Sequence, residues 1–200
     1  MNTQFDFVRS HGLGNDYLVM DPARLGFELT PEFIRLICHR NLGVGSDGIL
    51  VVHKNAKANF AVRIFNPDGS EAEKSGNGLR IFSKFLYDHG YTNETEFTIQ
   101  TLGGMVNTRL ILEKGRVVAV RVDMGRAAGH TFASGSSACA VATACFDKKL
   151  VVGRVTVQME GGNLTIEIDK DLNLVMTGPV EEICTGKLSE DLRRRLGAVP

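Results

Sequence analysis

The chain has 200 residues, of which 43% are hydrophobic, so it is long enough for one large domain or two small ones with a substantial core. Its 23 basic and 23 acidic side chains balance, which leaves no electrostatic argument for binding nucleic acid or an anionic membrane surface. The four cysteines form no Cys-x-x-Cys pair, so neither a structural zinc site nor a disulfide framework is expected. No apolar run approaches a membrane span and the first six residues lack a signal-peptide pattern, so we expect a cytoplasmic protein.

The first 65 residues are predicted to form short strands around one helix. Apolar and β-branched runs predict strands at 5–8, 17–20, 49–53 and 61–65. The helix begins at Thr30-Pro31, a typical N-cap and first helical residue, and is expected to end at Gly43. Asp47 and Asp68 each lie beside a glycine, which favours turn capping over acid–base catalysis.

A turn, a glycine-rich segment and a helix follow one another at residues 66–89. Asn-Pro-Asp-Gly-Ser at 66–70 ends a strand, and Ser-Gly-Asn-Gly at 75–78 precedes a helix with one apolar face that runs to about residue 89. The first N–H groups of a helix have no partner within it, so this start is a candidate site for a carboxylate or phosphate. Taken alone, an ordinary glycine-containing loop is the better explanation.

The same order of elements recurs in the second half of the chain. Ser-Gly-Ser-Ser at 134–137 precedes a second helix at 138–146, built mostly from Ala, Val and Cys. Each helix is followed by a strand, a Gly-Gly pair, two more strands and a glycine. From the first serine to the Gly-Gly pair, residue 75 to 103 is 28 positions and residue 134 to 161 is 27. This repetition predicts two related halves, residues 1–126 and 127–200, that each present a helix N-terminus.

A last helix is predicted at 188–197. Ser189 is its expected N-cap, acidic residues occupy its first turn and arginines its last. A narrow stripe of leucines suits docking on the body of the protein or on a partner, and the arginines are best interpreted as a solvated helix end.

Six motifs together resemble the diaminopimelate epimerase family. They are His-Gly-Leu-Gly-Asn-Asp-Tyr at 11–17, Gly-Val-Gly-Ser-Asp-Gly at 43–48, Asn-Pro-Asp-Gly-Ser at 66–70, Gly-Asn-Gly-Leu-Arg at 76–80, Asp-Met-Gly at 123–125 and Thr-Gly-Pro at 177–179. The resemblance covers residues 5 to about 126 almost without gaps, and then 129 to about 183. Motifs of this length in this order are highly specific for the family and less specific for one activity.

The resemblance implies a fold and a reaction. The fold class is α/β (α+β), with two pseudo-symmetric halves that each wrap a curved mixed or antiparallel sheet around a central helix. The reaction inverts the α-carbon of a free amino acid, principally LL- to meso-diaminopimelate in lysine biosynthesis, without pyridoxal phosphate, another cofactor or a metal. Two groups on opposite faces of the substrate transfer the α-proton, while the two helix N-termini hold the α-carboxylate.

The resemblance also assigns site residues. The two catalytic positions, which are cysteines in the family, are Ser75 and Ser134 here. The substrate-binding residues carried over on matching motifs are Asn15, Asn66, Gly76, Asn77, Gly135 and Ser136. Serine in place of the family's cysteine changes the acidity at both catalytic positions. A free thiol has a pKa of about 8.5, whereas a serine hydroxyl is a far weaker acid and normally needs an adjacent base.

The second departure is length. Seventy-four residues precede Ser75, but only about eight separate Gly125 from Ser134, so the second half lacks its leading strands. By resemblance, the absent piece includes an Asn-Pro-His segment, which occurs nowhere in this chain. An exposed sheet edge or apolar helix face is therefore expected, which invites pairing with another chain and leaves a homodimer open. The helix at 138–146 has almost no polar face, which predicts instead that it is buried inside a curved sheet.

Three functional interpretations follow. The first is an epimerase or racemase of a free amino acid, most directly diaminopimelate. The second is a relative with the same fold that isomerises a small unsaturated acid. The third is a non-catalytic amino-acid-binding protein or a truncated family member. In each case the expected partner is a small molecule, not nucleic acid or a membrane.

Overall fold

The structure, a computed structural model, describes residues 5–25, 27–53, 58–126 and 134–197, the last range without the side chains of 134–136. The strands are β1 (Phe7–Gly12), β2 (Asn15–Met20), β3 (Ile49–His53), β4 (Phe60–Phe65), β5 (Glu71–Ala72), β6 (Glu96–Thr101), β7 (Gly104–Glu113), β8 (Arg116–Arg126), β9 (Arg154–Met159), β10 (Gly162–Ile168), β11 (Asn173–Gly178) and β12 (Glu181–Gly186). The helices are α1 (Pro22–Leu25), α2 (Pro31–Cys38), α3 (Gly76–Asp88), α4 (Ser134–Asp147) and α5 (Glu190–Arg195).

The strands form a single mixed sheet in the order β12-β1-β2-β3-β4-β6-β7-β8-β11-β10-β9, with β5 paired to β4 beside this path. Strand pairs are antiparallel except β2–β3 and β4–β6, which are parallel. The helix α3 packs against β1, β2, β7 and β8, which lie far apart in this order. The sheet therefore curls around α3, and the mixed α+β fold with a central helix is confirmed.

Both faces of the first strands are covered. Along β2, Tyr17 and Val19 join the core around α3, whereas Leu18 and Met20 join a second core beneath α2. The alternation follows from the two-residue period of a strand, whose successive side chains point to opposite faces. The second core also includes the buried Leu188 beside α5, so the predicted docking of the last helix on the body of the protein is confirmed.

Local capping agrees with the sequence at α2. The Thr30 side chain accepts a hydrogen bond from the Phe33 N–H, and Pro31 is the first helical residue. The helix ends at Cys38, five residues before the expected end at Gly43. The His39 N–H bonds to the Leu36 carbonyl. The Gly45 and Ser46 N–H groups bond to the Ile37 and Cys38 carbonyls, so the segment after Gly43 folds back onto the helix end.

The repeat is visible as two series, α3-β6-β7-β8 and α4-β9-β10-β11. In the first series β7 pairs antiparallel with β6 and β8, and in the second series β10 pairs antiparallel with β9 and β11. The first strands differ, because β6 also pairs with β4 whereas β9, among the described residues, pairs only with β10. The third strands of the two series, β8 and β11, pair with each other antiparallel. A strand and its counterpart are antiparallel when a two-fold axis relates them, so this pairing fits the predicted pseudo-symmetry.

The second helix is only half covered. Ala138, Cys139 and Ala142 are buried against β10 and β11, but Val141 is 56% exposed. The expectation that α4 is buried inside a curved sheet is therefore wrong, because only one of its faces has a sheet to pack on. The alternative expectation is confirmed: α4 has an apolar exposed face, and β9 ends the strand order as a free edge within the described ranges.

The chain returns to its first half at the end. The strand β12 pairs with β1, and α5 packs on the core beneath α2. By sequence order, β12 and α5 belong to the predicted second half, residues 127–200. The domain boundary at residue 126 stays a prediction. Among the described residues, no helix is both long and apolar enough to cross a membrane.

Candidate active site

The first turn of α3 forms an anion-binding arrangement. Ser75 is the N-cap, with an extended backbone, and its Oγ accepts a hydrogen bond of 3.0 Å from the Gly78 N–H. The Leu79 N–H bonds to the Ser75 carbonyl, which begins the helical ladder. Within the described part of the chain, the N–H groups of Gly76 and Asn77 have no acceptor. Two N–H groups at the positive end of a 13-residue helix suit a carboxylate.

The glycines in this turn let neighbouring elements approach closely. A Cβ atom at Gly76 would lie 2.7 Å from the Met176 methyl carbon on β11. At Gly78 it would lie 3.0 Å from a Leu50 methyl and 3.2 Å from the Ser75 side chain. The Ser-Gly-Asn-Gly sequence thus allows the helix start to pack between the two halves while its cap stays close to the backbone.

A tyrosine hydroxyl contacts the predicted catalytic position. The Tyr17 oxygen lies 3.2 Å from Ser75 Oγ, and either hydroxyl has the geometry to donate. The Tyr17 side chain projects from β2 and the residue is only 7% exposed. Burial raises the pKa of Tyr17, a shift that the hydrogen bond with Ser75 partly offsets, so the phenol is protonated at neutral pH.

The two predicted substrate-binding asparagines are held by each other. The Asn77 amide nitrogen donates to the Asn15 amide oxygen at 3.1 Å, and the Asn15 nitrogen donates to Asp47 at 3.0 Å. The same Asp47 oxygen accepts the Asp16 N–H. Asp47 therefore does not cap its own turn, as its sequence position suggested, but anchors the β1–β2 turn. Asp68 does cap its own turn, since it accepts the Ser70 N–H and hydroxyl.

Two arginines hold the carboxylates behind Asn15. Arg40 bridges Asp16 and Asp47 with bonds of 2.9 and 2.7 Å, and Arg9 binds the other Asp16 oxygen at 2.6 Å. Burial would raise the pKa of Asp16, but the hydrogen bonds from Arg40 and Arg9 outweigh it and hold the pKa below its usual value. Both carboxylates are acceptors only, which fixes the orientation of the Asn15 amide.

Arg80 is a fully buried cation on α3, with none of its surface exposed. Its guanidinium donates to the Asn77 amide oxygen at 2.6 Å and to the Met176 sulfur at 2.7 Å. Its Nε atom has no hydrogen-bond partner in the described ranges. Burial lowers the pKa of Arg80 to about 10, so it remains charged at neutral pH. Arg80 and Asp47 thus fix opposite ends of the asparagine pair.

The two helix starts converge on Met176. The residue contacts the first turn of α3 through Gly76 and shares a core with Ala138 and Cys139 in the second turn of α4. Burial raises the pKa of the Cys139 thiol to about 11, an effect that the neighbouring Arg80 charge partly offsets, so Cys139 is a neutral packing group. The two helices therefore contact a common side chain, whereas the distance between Ser75 and Ser134 stays a prediction.

Not every predicted residue is brought to this site. The side chains of Ser134, Gly135 and Ser136 lie outside the described residues, so their roles stay predictions. Asn66 bonds to Ser70 within its own turn through both its backbone and its amide. No hydrogen bond joins Asn66 to the asparagine pair in the described structure, and its substrate contact also stays a prediction.

A separate cleft of about 720 Å³ contains none of the predicted site residues. It lies beside the C-terminal part of α3, and its lining includes the Lys84–Asp88 ion pair and His11, whose Nε2 lies 3.2 Å from a Glu181 carboxylate oxygen. His11 Nδ1 also accepts the Gly14 N–H, so this histidine holds the turn between β1 and β2. The hydrogen-bond network, and not the cleft, identifies the candidate site.

Comparison with known proteins shows which family this chain resembles. The model of the family described as diaminopimelate epimerase matches residues 7–128. The chain is 34% identical to diaminopimelate epimerase 2 of Nostoc sp. over 274 residues, 93% of this chain and 96% of that protein. It is 46% identical to the diaminopimelate epimerase of Moorella thermoacetica over 121 residues, which covers 60% of this chain and only 43% of that protein.

The two alignments differ in an informative way. The span aligned with the Nostoc protein is longer than this 200-residue chain, so that relative has residues without a counterpart here. The family model and the Moorella match both stay close to the length of the first half. The extra residues of the Nostoc relative agree with the expectation that this chain lacks a segment of the family.

Solved structures show the same fold at low sequence identity. A predicted epimerase from Pseudomonas aeruginosa superposes with a TM-score of 0.73 at 14% identity, covering 92% of this chain and 99% of that chain. A probable proline racemase from Agrobacterium radiobacter gives 0.69 at 11% identity, covering 92% and 93%. A methylitaconate-delta-isomerase gives 0.63 at 14% identity, covering 91% and 93%. At these identities the likeness concerns the fold alone.

Proposed function

Because the chain belongs to the diaminopimelate epimerase family, and is thus an isomerase of the amino-acid epimerase type, we propose that it interconverts LL- and meso-diaminopimelate. The observation that carries the proposal is the first turn of α3. There, two N–H groups without an acceptor among the described residues adjoin the Ser75 hydroxyl and the ordered Asn15–Asn77 pair. A cytoplasmic location and partners limited to small molecules belong to this proposal as well.

The carboxylate end of the substrate binds at the Gly76 and Asn77 N–H groups. When the α-proton leaves, negative charge spreads from the α-carbon onto this carboxylate, and the helix N-terminus stabilises it. The α-carbon is one bond from the carboxylate, which brings it beside Ser75 on the same turn. Because Asp47 and Arg80 fix the two asparagines, the amides need no reorganisation when the substrate binds.

The proton transfer uses two serines. One serine, as an alkoxide, takes the α-proton and becomes a hydroxyl; the opposite serine gives its hydroxyl proton to the other face of the carbanion and becomes an alkoxide. Ser75 is one of these groups and Ser134, at the start of α4, is the other. After each turnover the two serines have exchanged protonation states: the former alkoxide is a hydroxyl and the former hydroxyl is an alkoxide. The pair is then ready to convert the product configuration back.

Amino-acid binding without turnover is the second candidate. The specific observation in its favour is that the carboxylate-binding groups are backbone N–H groups, which do not depend on the serine pair. Acid–base catalysis does depend on the serine pair. A general acid or base accelerates a reaction roughly 10²–10⁴-fold only when its pKa is suited to neutral pH.

The test is exchange of the α-proton of diaminopimelate in deuterated water, followed by NMR together with binding by calorimetry. We expect exchange by the unaltered chain, a loss of roughly 10²-fold or more in Ser75→Ala, and faster exchange in Ser75→Cys/Ser134→Cys. Ser83→Ala is the matched control, because Ser83 lies on the same helix and its hydroxyl donates only to the Leu79 carbonyl.

The outcomes separate the candidates. Binding without exchange in the unaltered chain, with exchange gained in the double cysteine variant, would establish the second candidate. Absence of both binding and exchange in every variant would overturn both candidates.

A further inference from the structure

The contact between Tyr17 and Ser75 joins residues 58 positions apart in the chain. Its geometry is imposed by the packing of the tyrosine ring. A Cβ atom at Gly48 would lie 2.7 Å from the Tyr17 ring and 2.5 Å from the Phe65 carbonyl, so the ring lies directly on the Gly48 backbone. The ring is also part of the core around α3, and its hydroxyl lies at the N-cap of that helix.

The direction of the hydrogen bond follows from the acidities. Burial raises the pKa of Tyr17 and the negative charge of Asp47 adds to the shift, so the phenol keeps its proton. A phenol is a far stronger acid than an aliphatic alcohol and therefore the better donor of the two. Ser75 Oγ then accepts two hydrogen bonds, from Tyr17 and from the Gly78 N–H, and its own proton is left for another partner.

We propose that Tyr17 is the positioning residue of Ser75: its hydroxyl donates to Ser75 Oγ, orients the serine proton towards the substrate, and stabilises negative charge on that oxygen. The inference rests on the proposed function, in which Ser75 exchanges a proton with the α-carbon. Tyr17 neither gains nor loses a proton in this role.

A serine at residue 75 needs groups that stabilise its alkoxide form, and the Tyr17 hydroxyl is one of them. A hydrogen bond donated to the charged form of a group favours that form, so two donors on one oxygen both lower the cost of the alkoxide. The helix N-terminus acts in the same direction. A thiol at residue 75 ionises near neutral pH without such help, so its activity depends much less on Tyr17.

The experiment is a double-mutant cycle between Tyr17→Phe and Ser75→Cys, in a chain that carries Ser134 unchanged. Tyr17→Phe keeps the buried ring and removes only the hydroxyl. In the serine background we expect it to slow α-proton exchange roughly tenfold to hundredfold at unchanged KM, as for one hydrogen bond to a charged group. In the cysteine background we expect a loss of less than about threefold. Tyr87→Phe, on α3 and remote from Ser75 in sequence, is the matched control.

A second measurement does not require activity. The thiol introduced by Ser75→Cys is titrated by its thiolate absorbance, with and without Tyr17→Phe; both variants carry the same four natural cysteines. We expect Tyr17→Phe to raise the pKa of the introduced thiol, because it removes a donor to the thiolate.

The results are distinguishable from a failure of the proposed function. If no variant exchanges the α-proton, the proposed function fails, while an upward shift of the thiol pKa still supports the contact and its direction. If exchange occurs and Tyr17→Phe behaves like Tyr87→Phe, with no shift of the thiol pKa, the role of Tyr17 is overturned.

Discussion

The helices α3 and α4 begin with the same Ser-Gly sequence and are followed by the same series of strands, yet they differ in how they are covered. Strands from distant parts of the sheet surround α3, whereas α4 packs mainly on the neighbouring strands β9, β10 and β11. Five apolar residues of α3 are at most 2% exposed, but Val141 on α4 is 56% exposed. The comparison shows that two helices with the same sequence motif differ in burial because different numbers of strands flank them.

The largest expected effect tests this difference in coverage. Phe82→Ala, at a fully buried position of α3, should lower the free energy of unfolding by about 3–5 kcal/mol, from lost burial and the cavity left behind. Val141→Ala on α4 should change it by less than about 0.5 kcal/mol. Urea unfolding of both variants provides the measurement. A loss of similar size at Val141 would mean that α4 is covered in solution.

The next effect concerns pH. The folded-state pKa of Asp16 is below its unfolded value, so Asp16 contributes stability above the unfolded pKa of about 4, and this contribution is lost as the pH falls through the folded pKa. Asp16→Asn should therefore be less stable at neutral pH, by about 1–3 kcal/mol, and should lose less stability on acidification.

Asp169, in the turn between β10 and β11, is the matched control from the second half. Its pKa is also lowered, mainly by hydrogen bonds from Asn173, but it is fully exposed. Asp169→Asn should leave the pH dependence of unfolding nearly unchanged. If the two aspartate variants show equal pH dependence, the network around Arg40 does not provide the difference between the halves.

The smallest effect concerns the cap of α3. Ser75→Ala removes the acceptor of the Gly78 N–H and should cost about 1 kcal/mol in the free energy of unfolding, measured by thermal denaturation. Ser75→Asp, which retains a capping acceptor, should restore stability without restoring α-proton exchange. Restoration of both would show that residue 75 acts only as a cap.

The sequence predicts most of the elements because each has a local signal. The strand Ile49–His53 is predicted with its observed bounds, and Thr30 caps α2 as expected. Three observed elements, α1, β5 and β12, have no predicted counterpart. The strand β12 consists of mostly exposed residues, Glu181–Gly186, and exists because β1 offers it an edge 170 residues away, which no local pattern reveals.

The site was predicted in part for the same reason. Motifs identified Asn15, Asn77 and Ser75, but the residues that hold them come from distant segments. The position of Asp47 beside a glycine predicts a turn cap, but its partners Asn15 and Asp16 are 32 and 31 residues away. Tyr17 was interpreted only as a strand residue, since nothing in a strand pattern indicates that its hydroxyl reaches residue 75. The fixed hydrogen-bonding capacity of a carboxylate and a buried phenol was the available signal.

The pairing of β12 with β1 also orders events during synthesis. The Leu188 N–H and the Arg193 guanidinium both bind the Asp6 carboxylate, a contact between residues 182 and 187 positions apart. At about 5–20 residues per second, a ribosome needs roughly 10–40 s to make the intervening chain. Throughout that interval β1 has a free strand edge and Asp6 has neither partner. Until β12 is synthesised, the exposed edge of β1 in the nascent first half is therefore available for pairing with other chains.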